Sequence, residues 1–199
     1  MEKNYNFDKV KDFVLQELGD DYSGHDYFHA IRVYNNAQKI LSQTIDDNVN
    51  DKIVLLSTLL HDCVDHKLFG ENKINEQITK IKKLLADDYS SFEIKEIIEI
   101  IQSISYSKNI KLDNINAQIV SDADRLDAIG AIGIIRTIEY GASKKRKFDD
   151  KTDNCTINHF YEKLLKLKDL MYTAEAKKIA IKRHNFLEMF LKEYYDEIN

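Results

Sequence analysis

Residues 51–64 read DKIVLLSTLLHDCV. Ile53, Val54, Leu55, Leu56, Leu59 and Leu60 face every side of a helix spanning this stretch, and a helix that is apolar all round belongs at the centre of a bundle. The run closes on two polar groups, His61 and Asp62, so the predicted central helix carries chemistry at its tip. Ser57 and Thr58 interrupt it, and it is far shorter than the ~18 apolar residues a membrane span requires. No membrane span is predicted.

Outward from this helix the chain is proline-free and rich in Leu, Ile, Lys, Glu and Asn, a composition of helices joined by Gly, Asp and Asn turns. About eight helices are predicted. The first covers 7–18, with Asn6 available as its cap and Gly19 as its stop. The second starts near His25, with Phe28, Ile31, Tyr34, Ala37 and Leu41 on one stripe. After 51–64 come 75–86 and 92–104, the latter opened by a Ser90-x-x-Glu93 capping box. A long helix over 115–139 contains Gly130 and Gly133, which permit close approach of a neighbour. The chain loosens over 141–153, and helices over 157–171 and 173–195 end it. Neither strand alternation nor repeats compete, so the fold class is all-α. At 199 residues one domain suffices, burying roughly 70% of its unfolded surface.

A net charge of -5 argues against stable nucleic-acid binding, which rests on surplus Lys and Arg. Lys144, Lys145, Arg146 and Lys147 form a basic run that reads equally as a solvated loop or a phosphate-facing one. Cys63 and Cys155 are too few for a disulfide framework, and no charged-then-apolar leader precedes Asn6, so a reduced, cytoplasmic protein is expected. Cys63 itself reads as a small core hydrophobe, and His184 as a surface residue.

Four stretches carry the chemistry: GHDYFHAIRV over 24–33, LLHDCVDHK over 59–67, DADRLDAIGAIG over 122–133 and INHFYEKLL over 157–165. Helical spacing puts His25, His29 and Arg32 on one face. His61 and Asp62 diverge by about 100°, so both reach one ion only if it lies between their directions near the helix end. Asp65, three after Asp62, faces the same opening. His29, His61, Asp62 and Asp124 together offer two imidazoles and two carboxylates, which offset a divalent charge and leave coordination positions open. That donor set suits one divalent ion, Mn²⁺, Fe²⁺, Co²⁺, Ni²⁺ or Zn²⁺, and Mg²⁺ less well, with the choice among them left open by the ligands; Mn²⁺ is taken as the first expectation. Arg32, Lys67, Lys163 and Lys166 are cations available to a phosphate. His159 reads equally as a substrate contact or a packed residue. Singly, each of these is more often structural, because a buried His is usually hydrogen-bonded core and an Asp-Arg pair usually an ion pair. The joint pattern carries the reading.

In order, spacing and context these motifs resemble the HD-domain metal-dependent phosphohydrolases, and within them the small bacterial stand-alone nucleotide pyrophosphohydrolases of the YpgQ-like subgroup, whose Asp-Ala-Asp-Arg-Leu-Asp-Ala-Ile-Gly run recurs at 122–130. The resemblance covers about residue 24 to the C-terminal region. It implies an HD-type helical bundle over 1–199, with an N-terminal helix in 1–23, a metal-site core over 24–140 and pocket-completing helices over 141–199. It assigns His29, His61, Asp62 and Asp124 as ligands and puts Asp65 where the superfamily places a catalytic acid, often Glu. His25 and Lys67 join Asp65 as catalytic candidates; Arg32, Lys67, His159, Lys163 and Lys166 as substrate contacts; Arg125 and Asp127 as groups that bridge helices or fix the rotamer of Asp124. His66 stands where the guanosine-tetraphosphate hydrolases carry a second acid, which argues against that activity. The implied reaction converts nucleoside or deoxynucleoside triphosphates to monophosphate and pyrophosphate. The alternatives are a nucleotidase or signalling-nucleotide hydrolase with the same metal site, and a regulator that binds a nucleotide without turnover.

Overall fold

The computed structural model describes residues 7–19, 24–105, 111–150 and 155–198, and all regular structure among them is helical. Two compact units divide the chain, Met1–Ala123 and Asp124–Asn199.

The first unit is built on α3 (Asp51–Leu60), in which Ile53 through Leu60 are all buried. It packs against α1 (Asp8–Leu18), α2 (Tyr27–Leu41) and α6 (Ser91–Ser105). Each fully buried Leu there contributes roughly 1.5–3 kcal/mol of transfer free energy. The side chain of Asn50 caps α3 at Ile53 N, while its own N–H donates to Asn116 Oδ1 at 2.9 Å, and Asn116 in turn donates to Glu96. This chain of amides ties the start of α3 to α6 and to α7 (Ile115–Asp127).

Helix α3 is one turn shorter than predicted. From His61 to Val64 the backbone tightens into a 3-10 turn, and at Asp65 it becomes extended (φ -75, ψ 121) before the short α4 (His66–Phe69). In α2 the buried stripe is His29, Ala30, Val33, Asn36, Ala37 and Ile40, whereas Phe28 is 66% exposed. The expected Phe28 stripe is therefore rotated away, because two polar residues, His29 and Asn36, occupy the inner face. Asn36 donates to the Ala123 carbonyl at 3.0 Å, which satisfies its burial. Helix α2 begins at Tyr27 because the Asp26 carboxylate caps His29 N at 2.8 Å, so His25 precedes the helix and shares no helical face with His29 and Arg32.

Asn6 lies outside the described residues. Gly19 does close α1, but in right-handed conformation, donating to the Leu15 carbonyl. Helix α5 (Ile74–Leu85) keeps its expected place, and the Ser90–Glu93 capping box opens α6 with reciprocal bonds of 3.3 and 2.8 Å.

The expected helix over 115–139 breaks. After α7 the chain turns through Ala128 and Ile129, and α8 (Gly130–Ser143) starts from Gly130 at φ +77. A Cβ on Gly133 would lie 2.3 Å from the Ala128 carbonyl oxygen, so Gly133 serves the break itself, while Gly130 both makes the turn and, as expected, lets a neighbouring element approach closely at Arg183. In the second unit, α8 and the 3-10 segment Leu164–Leu170 pack on α10 (Ala174–Ile198), and α9 (Asn158–Glu162) packs on the same 3-10 segment. The expected helix over 157–171 is thus two pieces, interrupted at Lys163 (φ -129, ψ -61). His184, expected at the surface, is buried on α10, with Lys168 Nζ 2.9 Å and Glu188 Oε1 3.2 Å from its Nε2. No helix of the described residues is long and apolar enough to cross a membrane.

The break at Gly130 has a measurable cost if disturbed. A Cβ there would meet Arg183 Cβ at 3.1 Å in a left-handed conformation that L side chains rarely adopt. Gly130→Ala is expected to lower stability by about 1–3 kcal/mol, or several degrees in Tm. Gly70→Ala, also at positive φ but with nothing within 4 Å, should lose less; calorimetry on both variants checks the order.

Candidate metal centre

Within the first unit, α2, the residue just before its cap and the 3-10 turn after α3 bring three imidazoles around one carboxylate. His29, His61 and Asp62 are buried, at 0%, 3% and 5% exposure. Asp62 Oδ2 lies 2.9 Å from His25 Nδ1 and 3.3 Å from His29 Nε2, while its Oδ1 lies 3.4 Å from His61 Nε2. The His29 and His61 rings stand 5.2 Å apart at 64°.

Hydrogen bonding decides the tautomer of His61. Its Nδ1 is 2.7 Å from the Thr58 carbonyl oxygen, which can only accept, so Nδ1 carries the hydrogen. In the neutral ring Nε2 then presents a lone pair, and that lone pair faces Asp62 Oδ1. A lone pair against a buried carboxylate is repulsive unless a cation lies between them. Either a proton on the ring or a metal ion supplies that charge, and a carbonyl that fixes Nδ1–H is the usual support of a metal-binding histidine. His25, His29 and Asp62 also offer donor atoms all within 4.8 Å of one another. The residues fit a divalent ion with mixed nitrogen and oxygen ligation.

Burial alone would push the Asp62 carboxyl upward, but the charge of His61, the hydrogen bond from His25 and the charge of His29 outweigh it and hold the group well below the usual carboxylate range. Asp62 is therefore an anion throughout the neutral range. Burial pushes the adjacent Cys63 thiol up, and at 0% exposure it acts as core, as expected.

Arg32 is half-buried on α2, three residues beyond His29. Asp65 is half-buried at the extended turn, its N–H donating to the Asp62 carbonyl at 3.1 Å, so the helical spacing expected to aim it does not hold there. Lys67 lies in α4, its side chain outside the described residues. In the second unit, Asp124, Arg125 and Asp127 occupy the last turn of α7. Arg125 donates to the Leu170 carbonyl and lies over the Tyr172 ring, and Asp127 pairs with Arg136 of α8 at 2.7 Å. His159 is half-buried on α9, where burial, then Lys163 and Arg146, lower its pKa against the opposing Glu162. Lys163 and Lys166 are exposed.

Three residues escaped the sequence reading. Thr58 acts through its backbone carbonyl, which any residue there would supply, so no side-chain signal exists. Asp26 was legible as an N-cap preference directly before an apolar run. Asn36 is a buried amide on a helix stripe, indistinguishable in sequence from a surface position.

Residues 26–129 match the HD domain. The Bacillus subtilis protein YpgQ is 32% identical over 197 residues, which covers 96% of this chain and 93% of that protein. The crystal structure of B. subtilis YpgQ in complex with ADP is similar at a TM-score of 0.80 and 31% identity, covering 96% of this chain and 97% of the other. An HD-superfamily hydrolase of Bacillus thuringiensis is similar at a TM-score of 0.79 and 37% identity, covering 96% of each chain.

The depressed Asp62 carboxyl implies a pH dependence. Stability from such a group is present above the unfolded value of about 3.9 and is lost as pH falls through the lower folded one. Metal-stripped protein should therefore lose Tm more steeply between pH 5 and pH 3 than the Asp62→Asn variant, with pH values chosen to bracket that unfolded value. Equal slopes would mean that the imidazoles do not stabilise the anion.

Proposed function

Because this chain belongs to the HD-domain family of metal-dependent phosphohydrolases, we propose that it hydrolyses nucleoside and deoxynucleoside triphosphates to monophosphate and pyrophosphate. The observation that carries this reading is the Asp62 carboxylate held among His25, His29 and His61, with the Thr58 carbonyl fixing the His61 tautomer. The ADP in the B. subtilis relative supports a nucleotide as the substrate class.

In this proposal His29, His61, Asp62 and Asp124 hold one divalent ion, Mn²⁺ first among the candidates. Asp124 follows directly on Ala123, whose carbonyl is bonded to Asn36 of α2, the helix that carries His29. When bound, such an ion would lower the pKa of a coordinated water to as little as ~7 and would polarise a phosphoryl oxygen. Asp65 accepts or relays the proton of the attacking water, acting through a bridging water because its side chain is one methylene shorter than Glu. Arg32 and Lys67 neutralise charge on the outer phosphates, and His159, Lys163 and Lys166 add contacts to the leaving pyrophosphate. Arg125 and Asp127 hold the last turn of α7, and with it Asp124. The HD match crosses from Ala123 to Asp124, so residues 1–199 are proposed to act as one functional domain.

A second reading keeps the site and removes only the terminal phosphate; the ADP held by the relative, a product of that cleavage, favours it. Hydrolysis in ¹⁸O-water separates the two. Attack at the α-phosphorus puts the label in the nucleoside monophosphate and none in pyrophosphate, which is the expected result. Labelled orthophosphate with nucleoside diphosphate would establish the second reading instead. The ligand set has its own check: Asp124→Ala should release Mn²⁺ and most activity while the far-ultraviolet circular dichroism stays helical. Full Mn²⁺ occupancy in that variant would remove Asp124 from the set.

A further inference from the structure

We propose that His25 is a positioning residue that holds Asp62 from outside the ligand set, and this inference rests on the metal-dependent reading above. His25 Nδ1 lies 2.9 Å from Asp62 Oδ2, and an ionised carboxylate only accepts, so the hydrogen is on Nδ1. The nitrogen nearest Asp62 is thus engaged as a donor and offers no lone pair toward the site.

Exposure separates His25 from its neighbours. Its side chain is 38% exposed, against 0% for His29 and 3% for His61, so of the three imidazoles beside Asp62 it is the one that also meets solvent. Backbone geometry separates it too. His25 precedes the cap residue Asp26, whose carboxylate fixes the backbone N–H of His29 at 2.8 Å. One stretch of five residues therefore sets a hydrogen bond to Asp62, the start of α2 and the imidazole of His29. Without His25, Asp62 would keep its place in the turn, but Oδ2 would lose the donor that fixes its rotation. Donors that orient a ligating side chain in this way are typically worth 10- to 100-fold in metal affinity.

The competing role is direct ligation, since the donor atoms of His25, His29 and Asp62 lie within 4.8 Å of one another. Side-chain isosteres distinguish the two. The amide nitrogen of Asn reaches the place of Nδ1–H and can donate to a carboxylate, yet Asn is a poor substitute for an imidazole ligand. Gln carries its amide further out, near the place of Nε2.

The experiment is a Mn²⁺ titration, followed by electron paramagnetic resonance of the free ion, on metal-stripped wild type, His25→Ala, His25→Asn and His25→Gln, with circular dichroism to confirm helical folding. His25→Ala and His25→Gln should bind about 10- to 100-fold more weakly, with His25→Asn within about threefold of wild type. If His25→Asn binds as weakly as His25→Ala, or if His25→Ala binds like wild type, the positioning role is wrong. Wild-type protein that takes up no Mn²⁺ would overturn the functional reading itself, which is a separate result from either of these.

Discussion

A carboxylate sits at the end of the most apolar helix among the described residues, 5% exposed, and much of the first unit can be understood as the means of keeping it there. Burying one ion without compensation costs several kcal/mol even after relaxation. Compensation comes from imidazoles on both oxygens, and each imidazole has its own support. His61 is turned by the carbonyl one turn back in α3, and His29 is brought in by the cap at Asp26. Even the identity of the buried face of α2 follows, because a helix that directs His29 inward must direct Phe28 outward.

This explains which parts of the fold were legible in the sequence. The all-round apolar run of 53–60 announces a central helix because burial on every side leaves no room for polar residues. The Ser90–Glu93 box announces a helix start because two backbone donors need two acceptors at a fixed separation. The stripe on α2 misled, because periodicity weighs residues by polarity, and here two of the inward residues are polar. The breaks at Gly130 and Lys163 were equally opaque. Apolar spacing continues across both, and only the backbone conformation records the interruption. At the site, the residue types were legible as a donor set, whereas the place of His25 outside α2 and of Asp65 on an extended turn depended on where a helix starts and stops.

Charge is distributed unevenly between the units. Residues 1–123 carry 21 acidic against 14 basic side chains, whereas residues 124–199 carry 13 against 15. The acid surplus accompanies the unit with the cluster of His25, His29, His61 and Asp62. The basic side chains proposed to meet phosphates, apart from Arg32 and Lys67, lie in the other. An acidic surface of this kind attracts cations and repels anions, so each unit carries the charge suited to a different class of small ion.

The last turn of α7 has a property that helix ends usually lack. Arg125 is tied to the 3-10 segment at Leu170, the Leu126 carbonyl accepts from Arg183 of α10, and Asp127 is paired with Arg136 of α8. Helix termini ordinarily fray, opening at almost no free-energy cost and exchanging their amide hydrogens quickly. Here three consecutive residues are each fastened to a different element, so the turn can unwind only if all three partners release it. Asp124, at the head of that turn, therefore shares the opening free energy of the second unit and not that of a loose end.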